Sequence, residues 1–109
     1  MENLAIESRD NRITLRFTGE ITLDRAAAMK QVVEDATSAA DYSVMLANLN
    51  GVTFIDSSGI GFLVALKTKT ISLGKQMYIT GLSDEVRKTF ELVQLIDFFQ
   101  VLDSEDDLI

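Results

Sequence analysis

The chain predicts an α/β fold: a mixed β-sheet flanked by about four helices, in the order β-β-α-β-α-β-α-β-α. Three observations lead there. The hydrophobic period changes along the chain. Ile13, Leu15 and Phe17 alternate with Thr14, Arg16 and Thr18, as in a half-buried strand, whereas Ala26, Met29, Val33, Ala36 and Ala40 step by three and four, as on one helix face. Val44, Met45 and Leu46 are apolar in succession, which suits a central strand covered on both faces. After an opening pair of strands, strand-like and helix-like segments alternate, the pattern of crossover connections.

Leu4, Ile6 and Ser8 alternate with Ala5 and Glu7 in a short first strand. Arg9-Asp10-Asn11 is turn chemistry, so the first two strands read as a hairpin. Gly19 is expected to break the second strand. Asp24 is expected to cap a helix running to about Ala40, with Lys30, Gln31, Glu34 and Asp35 on its solvated side. Tyr42 to Asn48 is the next strand, and Val52 to Ile55 continues an apolar approach to a second helix. That helix runs from about Ser57 to Leu73, with Gly74 as its stop. Apolar residues at 60, 63, 64, 66, 71 and 73 give it helical spacing. Lys67, Lys69 and Lys75 read as a solvated face. Met77 to Thr80 is a strand. Ser83 caps a further helix, with Asp84 and Glu85 in its first turn and Val86, Phe90 and Val93 inward. Phe98, Phe99 and Val101 are expected as a short last strand, and Ser104 as the cap of a small acidic helix with Leu108 inward.

Composition narrows the function. A length of 109 residues suits one domain spanning 1–109, and 47% apolar residues supply a core. With no cysteine there is no disulfide and no thiolate chemistry; with no histidine the commonest general base and metal ligand is gone. A formal net charge of −7 argues against nucleic acid and against docking on anionic lipid. No N-terminal signal pattern is visible, and the apolar run from Gly59 to Leu66 is too short to span a bilayer. The expectation is a soluble, cytoplasmic chain without membrane insertion.

The chemistry concentrates at Asp56-Ser57-Ser58, between the apolar approach and the second helix. Asp and Ser satisfy free N–H groups at a helix start, and Asp56 is the expected cap. Gly59 and Gly61 strip side-chain bulk from the first turn. Free N–H groups and the positive end of the helix dipole favour a phosphate there, bound or attached to a serine. A dinucleotide loop is not formed, because Val64 stands where the third glycine of G-x-G-x-x-G belongs. A serine hydrolase elbow is not formed either, since Asp56 occupies its first glycine position and no histidine exists. The chain is therefore not expected to be an enzyme in its own right, and no cofactor is expected.

Asp56-Ser57-Ser58-Gly59 after an apolar strand, followed by Ile60-Gly61-Phe62-Leu63, resembles the signature of the STAS domain, more narrowly the single-domain anti-sigma factor antagonists. The stretch from Asn48 to Ile55 and the Thr18-Gly19-Glu20-Ile21 segment fit the same family in the same order. The resemblance implies the STAS fold, a mixed sheet flanked by helices. It implies a bacterial partner-switching module whose Ser58 is phosphorylated by an anti-sigma factor that is also a serine kinase. The unphosphorylated form would bind that kinase, phosphorylation would release it, and a PP2C-type phosphatase would reset the switch. ATP and Mg²⁺ would come with the kinase. Asp56, Ser57, Gly59, Thr22 and Asp24 would surround the phosphosite, with Ser57 as a hydrogen bonder at the helix start. Antagonists often carry Asp where this chain has Thr22, with Asp24 following two residues later. Leu23, Ile60, Gly61 and Phe62 are the expected partner-binding residues. Phe62 and Leu66 lie on a second face of the helix, away from Ile60, Val64 and Ile71. They serve either as core on a two-sided helix or as a patch beside Ser58 that a partner covers. An alternative reading is a constitutive STAS subunit of a transporter ATPase complex, not switched by phosphate.

Overall fold

The computed structural model describes residues 1–108. Strands β1 (Leu4–Arg9) and β2 (Arg12–Ile21) form an antiparallel hairpin in which Leu4 lies opposite Phe17 and Arg9 opposite Arg12. Its two-residue turn has positive φ at both Asp10 (51°) and Asn11 (73°). That conformation matches the twist of the flanking strands, and Asp and Asn tolerate it best after glycine. Strands β3 (Val44–Ile55), β4 (Gln76–Thr80) and β5 (Val101–Leu102) follow, each parallel to its predecessor. Among the described residues the sheet has five strands in chain order, β1-β2-β3-β4-β5.

Helices α1 (Leu23–Ala39), α2 (Ser57–Ser72) and α3 (Asp84–Leu92) make the three crossovers. Strands added always in one direction by right-handed crossovers put every helix on the same face. The core lies under that layer. It joins Ile13, Leu15 and Phe17 of β2 and Met45, Ala47 and Leu49 of β3 to Met29, Val33, Ile60, Leu63 and Phe90 of the helices.

Residues of the opposite face, Thr14, Leu46, Asn48 and Thr80, are nevertheless buried. The C-terminal segment covers part of this face. Arg16 Nη1 donates to Glu105 at 2.6 Å while its Nε donates to Glu7 at 2.6 Å. Asn48 Nδ2 donates to the same Glu105 carboxylate at 2.8 Å, and Arg12 Nη1 donates to the Leu108 carbonyl at 3.0 Å. The Arg16 hydrogen bonds hold both the Glu7 and the Glu105 carboxyl below the usual carboxylate range, with Asn48 adding to the effect at Glu105.

Several expectations are corrected. Among the described residues there are three α-helices rather than about four. The acidic terminal segment makes a 3₁₀ turn, Glu105–Asp107, although Ser104 caps it as expected. Three adjacent carboxylates and no apolar stripe leave little to extend it into a helix. Phe98 belongs to another 3₁₀ turn, Ile96–Phe98, so the last strand is only Val101–Leu102. Gly19 does not end β2; at φ 75° it sits among register shifts that absorb it as an irregularity, and pairing resumes to Ile21. Asp24 is the second residue of α1 and does not cap it; Thr22 holds the cap position, with no side-chain cap hydrogen bond. Val93 and Ile71 are exposed. The inward row of α2 ends at buried Thr70, and Ile71 is turned about 100° away from it, as the next residue of a helix must be. Lys67 and Lys75 are not simply solvated: Lys67 Nζ lies 4.7 Å from the centre of the Phe98 ring and Lys75 Nζ 3.7 Å from that of Tyr42.

Candidate functional site

The site forms where β2 and β3, adjacent and parallel, hand over to α1 and α2. Asp56 is extended (φ −101°, ψ −179°), and its Oδ1 accepts the Gly59 N–H at 2.8 Å, capping α2 as the sequence predicts. Its backbone carbonyl accepts from Ile60 at 3.0 Å, the first helical bond. The same residue turns to the neighbouring connection. Its N–H donates to the Ile21 carbonyl at 3.3 Å, and its Oδ2 accepts the Leu23 N–H at 3.3 Å. One carboxylate thus serves orphan N–H groups of two helices, each of which has unpaired donors at its start.

Gly59 makes this proximity possible. A Cβ there would lie 2.2 Å from the Ile21 carbonyl oxygen and 2.7 Å from Ile55 Cγ1. Gly61, two residues on, is exposed, and a Cβ there would meet nothing within 4 Å. The two glycines therefore differ: the first is needed for backbone approach, the second is not.

Ser57 is exposed and Ser58 half-buried. Among the described residues neither hydroxyl makes a hydrogen bond to the protein, so Ser57 is not the helix-start hydrogen bonder that was expected. Thr22 donates through its hydroxyl to Asp24, and that bond holds the exposed Asp24 carboxyl below its ordinary range. Thr22 and Asp24 flank Leu23, so the structure brings both beside the Asp56 turn. Of the expected partner-facing residues, Leu23 is 72% exposed and Gly61 is exposed. Ile60 and Phe62 are buried; the Phe62 ring packs edge-on against Phe17 with centroids 6.0 Å apart. Those two belong to the core, because the inward face of α2 passes through them.

The patch expected at Phe62 and Leu66 beside Ser58 is one wall of a larger feature, whose α1 wall the sequence did not reveal. Between α1 and α2 runs an open trough of about 260 Å³, and Ser58 lines it. Its α1 wall carries Leu23, Ala26 and Ala27, and its α2 wall Phe62, Ala65 and Leu66. At the far end Lys69 Nζ of α2 lies 3.9 Å from Glu34 Oε1 of α1. Part of the signal was the second apolar face of α2 at Phe62 and Leu66; on α1, Ala26 read as part of the inward stripe and Ala27 carried no periodic mark of its own. Which faces would meet was not readable before the sheet order was known.

Among the described residues, no group of three His, Cys, Asp or Glu side chains could hold a metal, and no helix is long and apolar enough to cross a membrane.

A sheet with its helices on one face, and a helix start whose cap is tied to the adjacent strand–helix connection, define a small α/β module. The chain belongs to the STAS domain family, whose model matches residues 3–108. It is 24% identical over 99 residues to the anti-sigma-B factor antagonist of Staphylococcus aureus, with 91% of each chain covered. Among solved structures it is similar to the anti-sigma factor antagonist SpoIIAA in its unphosphorylated form (TM-score 0.80, 18% identity, 96% of this chain and 92% of that one). The phosphorylated form of the Bacillus protein superposes with a TM-score of 0.72 at 17% identity, covering 96% of each chain. A sulfate transporter family protein from Wolinella succinogenes shares the fold as well (TM-score 0.76, 17% identity, 92% of this chain and 83% of that one).

Proposed function

We propose that residues 1–109 act as one non-enzymatic regulatory domain, an anti-sigma factor antagonist switched by phosphorylation at Ser58. In this reading the unphosphorylated chain binds an anti-sigma factor that is also a serine kinase, in the cytoplasm. Phosphate transfer from ATP to the Ser58 hydroxyl oxygen releases it, with ADP and the hydroxyl proton as the other products. A PP2C-type phosphatase hydrolyses the ester and restores binding. The observation that carries the reading is the Ser58 hydroxyl. It has no protein hydrogen bond among the described residues, and it stands at a helix start whose cap also holds the facing loop. The antagonist relatives, and a similar fold known in both phosphorylated and unphosphorylated forms, support it.

A phosphate adds about −1.5 to −2 charges and three strong acceptor oxygens at neutral pH. Within an interface such a charge must be paired or desolvated, and either requirement changes partner affinity. The test is intact-mass measurement after incubation with the purified anti-sigma kinase from the same genome, ATP and Mg²⁺. One added phosphate is expected, lost in Ser58→Ala while kinase binding persists. A phosphopeptide mapping to Ser57, or no phosphate at all despite binding, overturns the assignment.

The likeness to a transporter-family protein favours a second reading, a constitutive STAS subunit of a transporter ATPase complex. That reading predicts stable binding to a transporter component, unaffected by Ser58→Asp.

A further inference from the structure

We propose that the trough between α1 and α2 is the seat of an amphipathic helix of the partner kinase, and that a phosphate on Ser58 ejects that helix by placing charge at the edge of an apolar seat. The inference rests on the reading of Ser58 as the phosphate acceptor and adds how the partner is held.

The trough has the shape of a third helix. α1 and α2 run side by side in the same direction: Leu23 meets Asp56 at one end, and Glu34 meets Lys69 at the other. From Leu23 to Glu34 the α1 wall is about 16 Å long at 1.5 Å per residue, three turns. A bound helix with apolar anchors at i, i+3 or i+4, and i+7 needs about that length. Three alanines, Ala26, Ala27 and Ala65, supply the room, and Val33 and Phe62 close the bottom. The trough is open along its length, so a small ligand lying in it would keep one side in water, whereas a helix covers it.

Position and charge point to the kinase as the occupant. Ser58 lines the trough, so a protein that brings ATP to Ser58 also lies across it; a typical interface covers about 800 Å² of each partner. Leu23, 72% exposed at the Ser58 end, continues the apolar surface out to the phosphosite. On the α1 rim, Lys30 has no ion-pair partner among the described residues, and a carboxylate flanking the apolar anchors of the incoming helix would complement it.

This arrangement alters the physics of release. A phosphate opposite a carboxylate repels through space, and salt screens that repulsion, the screening length falling from about 10 Å at 0.1 M to about 3 Å at 1 M. A phosphate at the edge of an apolar seat that a helix must close is opposed instead by the hydration it would lose there, which salt does not restore. No carboxylate of the partner opposite Ser58 is then required.

The test uses the full chain and the anti-sigma kinase from the same genome, without ATP, by titration calorimetry. Ala27→Glu and Ala65→Glu, at exposed positions on opposite walls, are each expected to weaken binding about tenfold or more. Leu92→Glu, 83% exposed on α3, is the control and should bind as the wild type does. Hydrogen exchange on the wild-type complex should show new protection along the α1 and α2 residues of the trough, a readout that needs no variant to fold. Phosphorylated protein should bind no better at 1 M salt than at 0.1 M, within the precision set by the unphosphorylated control. Wild-type binding with both alanine variants unaffected and no trough protection removes the seat, while leaving the phosphoswitch intact. Recovery of phosphoprotein binding in high salt replaces ejection by lost hydration with through-space repulsion. Saturable binding of decanoate in the trough, with kinase affinity unchanged by Ala65→Glu, makes it a small-ligand site instead. Failure of the wild type both to bind the kinase and to accept phosphate sinks the antagonist reading itself.

Discussion

The Asp56 carboxylate accepts the Leu23 N–H at 3.3 Å, a bond between residues 33 positions apart in sequence. The other oxygen of that carboxylate caps α2 through Gly59. Two helix starts are thereby fixed relative to each other, and Ser58 is presented between them.

Asp56→Ala removes both bonds, and a loss of about 1–2 kcal/mol is expected, the range for a lost helix cap. Asp56→Asn keeps one acceptor oxygen and turns an NH₂ group toward the remaining N–H, so it should cost a substantial part of the alanine effect rather than nothing. Asn is also neutral and cannot take the serine proton. Urea midpoints should rank the wild type first, then Asn, then Ala, and single-turnover phosphate transfer to the Asn variant should be slower. Transfer at the wild-type rate would restrict Asp56 to a structural role.

Gly59→Ala should destabilise the protein by about 1–3 kcal/mol, because its Cβ meets the Ile21 carbonyl and backbone must move. Gly61→Ala meets open space and gains helix propensity, so it should stabilise by up to about 1 kcal/mol. Denaturant midpoints shifted in the same direction for both variants would contradict the geometry.

Leu23→Glu places a carboxylate on an exposed site in the first turn of α1, where the helix dipole favours it. Stability should change by no more than about 0.5 kcal/mol. Affinity for the kinase should fall about tenfold, equivalent to about 1.4 kcal/mol. Unchanged affinity with the fold verified by circular dichroism would remove the β2–α1 connection from the interface.

Acid should loosen the C-terminal segment. The Glu105 and Glu7 carboxyls lie below their ordinary range in the folded protein because Arg16 bonds them. The unfolded chain takes up these protons first, near pH ~4.3. Their contribution is therefore complete above that pH and is lost as the pH falls through the folded values. Arg16→Ala should lower the urea midpoint at pH 7, and the gap to the wild type should narrow at pH 3. A gap of equal size at both pH values would show that the ion pairs contribute nothing to folding.

Local chemistry was the legible part. Asp10-Asn11 reads as a tight turn, Asp56 as a cap and Gly74 as a stop, and each is found so, Gly74 with φ 76°. Ser83 likewise caps α3, and Ser104 caps the terminal 3₁₀ turn. These signals act over a few residues, so composition and spacing carry them. Gly19 and Asp24 misled for the same reason. A glycine that usually ends a strand was carried through by pairing with β3, and a good capping residue fell inside the first turn of a helix whose start is held from outside, by Asp56.

The sequence by itself determined the α/β alternation, the stop of α2, the caps of α2 and α3, and the serine at the start of α2. Tertiary structure alone decided the strand order, the burial of Ile60 and Phe62, the exposure of Ile71, the Asp56–Leu23 bond and the trough beside Ser58. Periodicity and capping are properties of neighbours within a turn or two. The meeting of α1 with α2, and of Arg16 with Glu105, depends on which strands lie side by side and in which register, and that is set by the packing of the whole sheet.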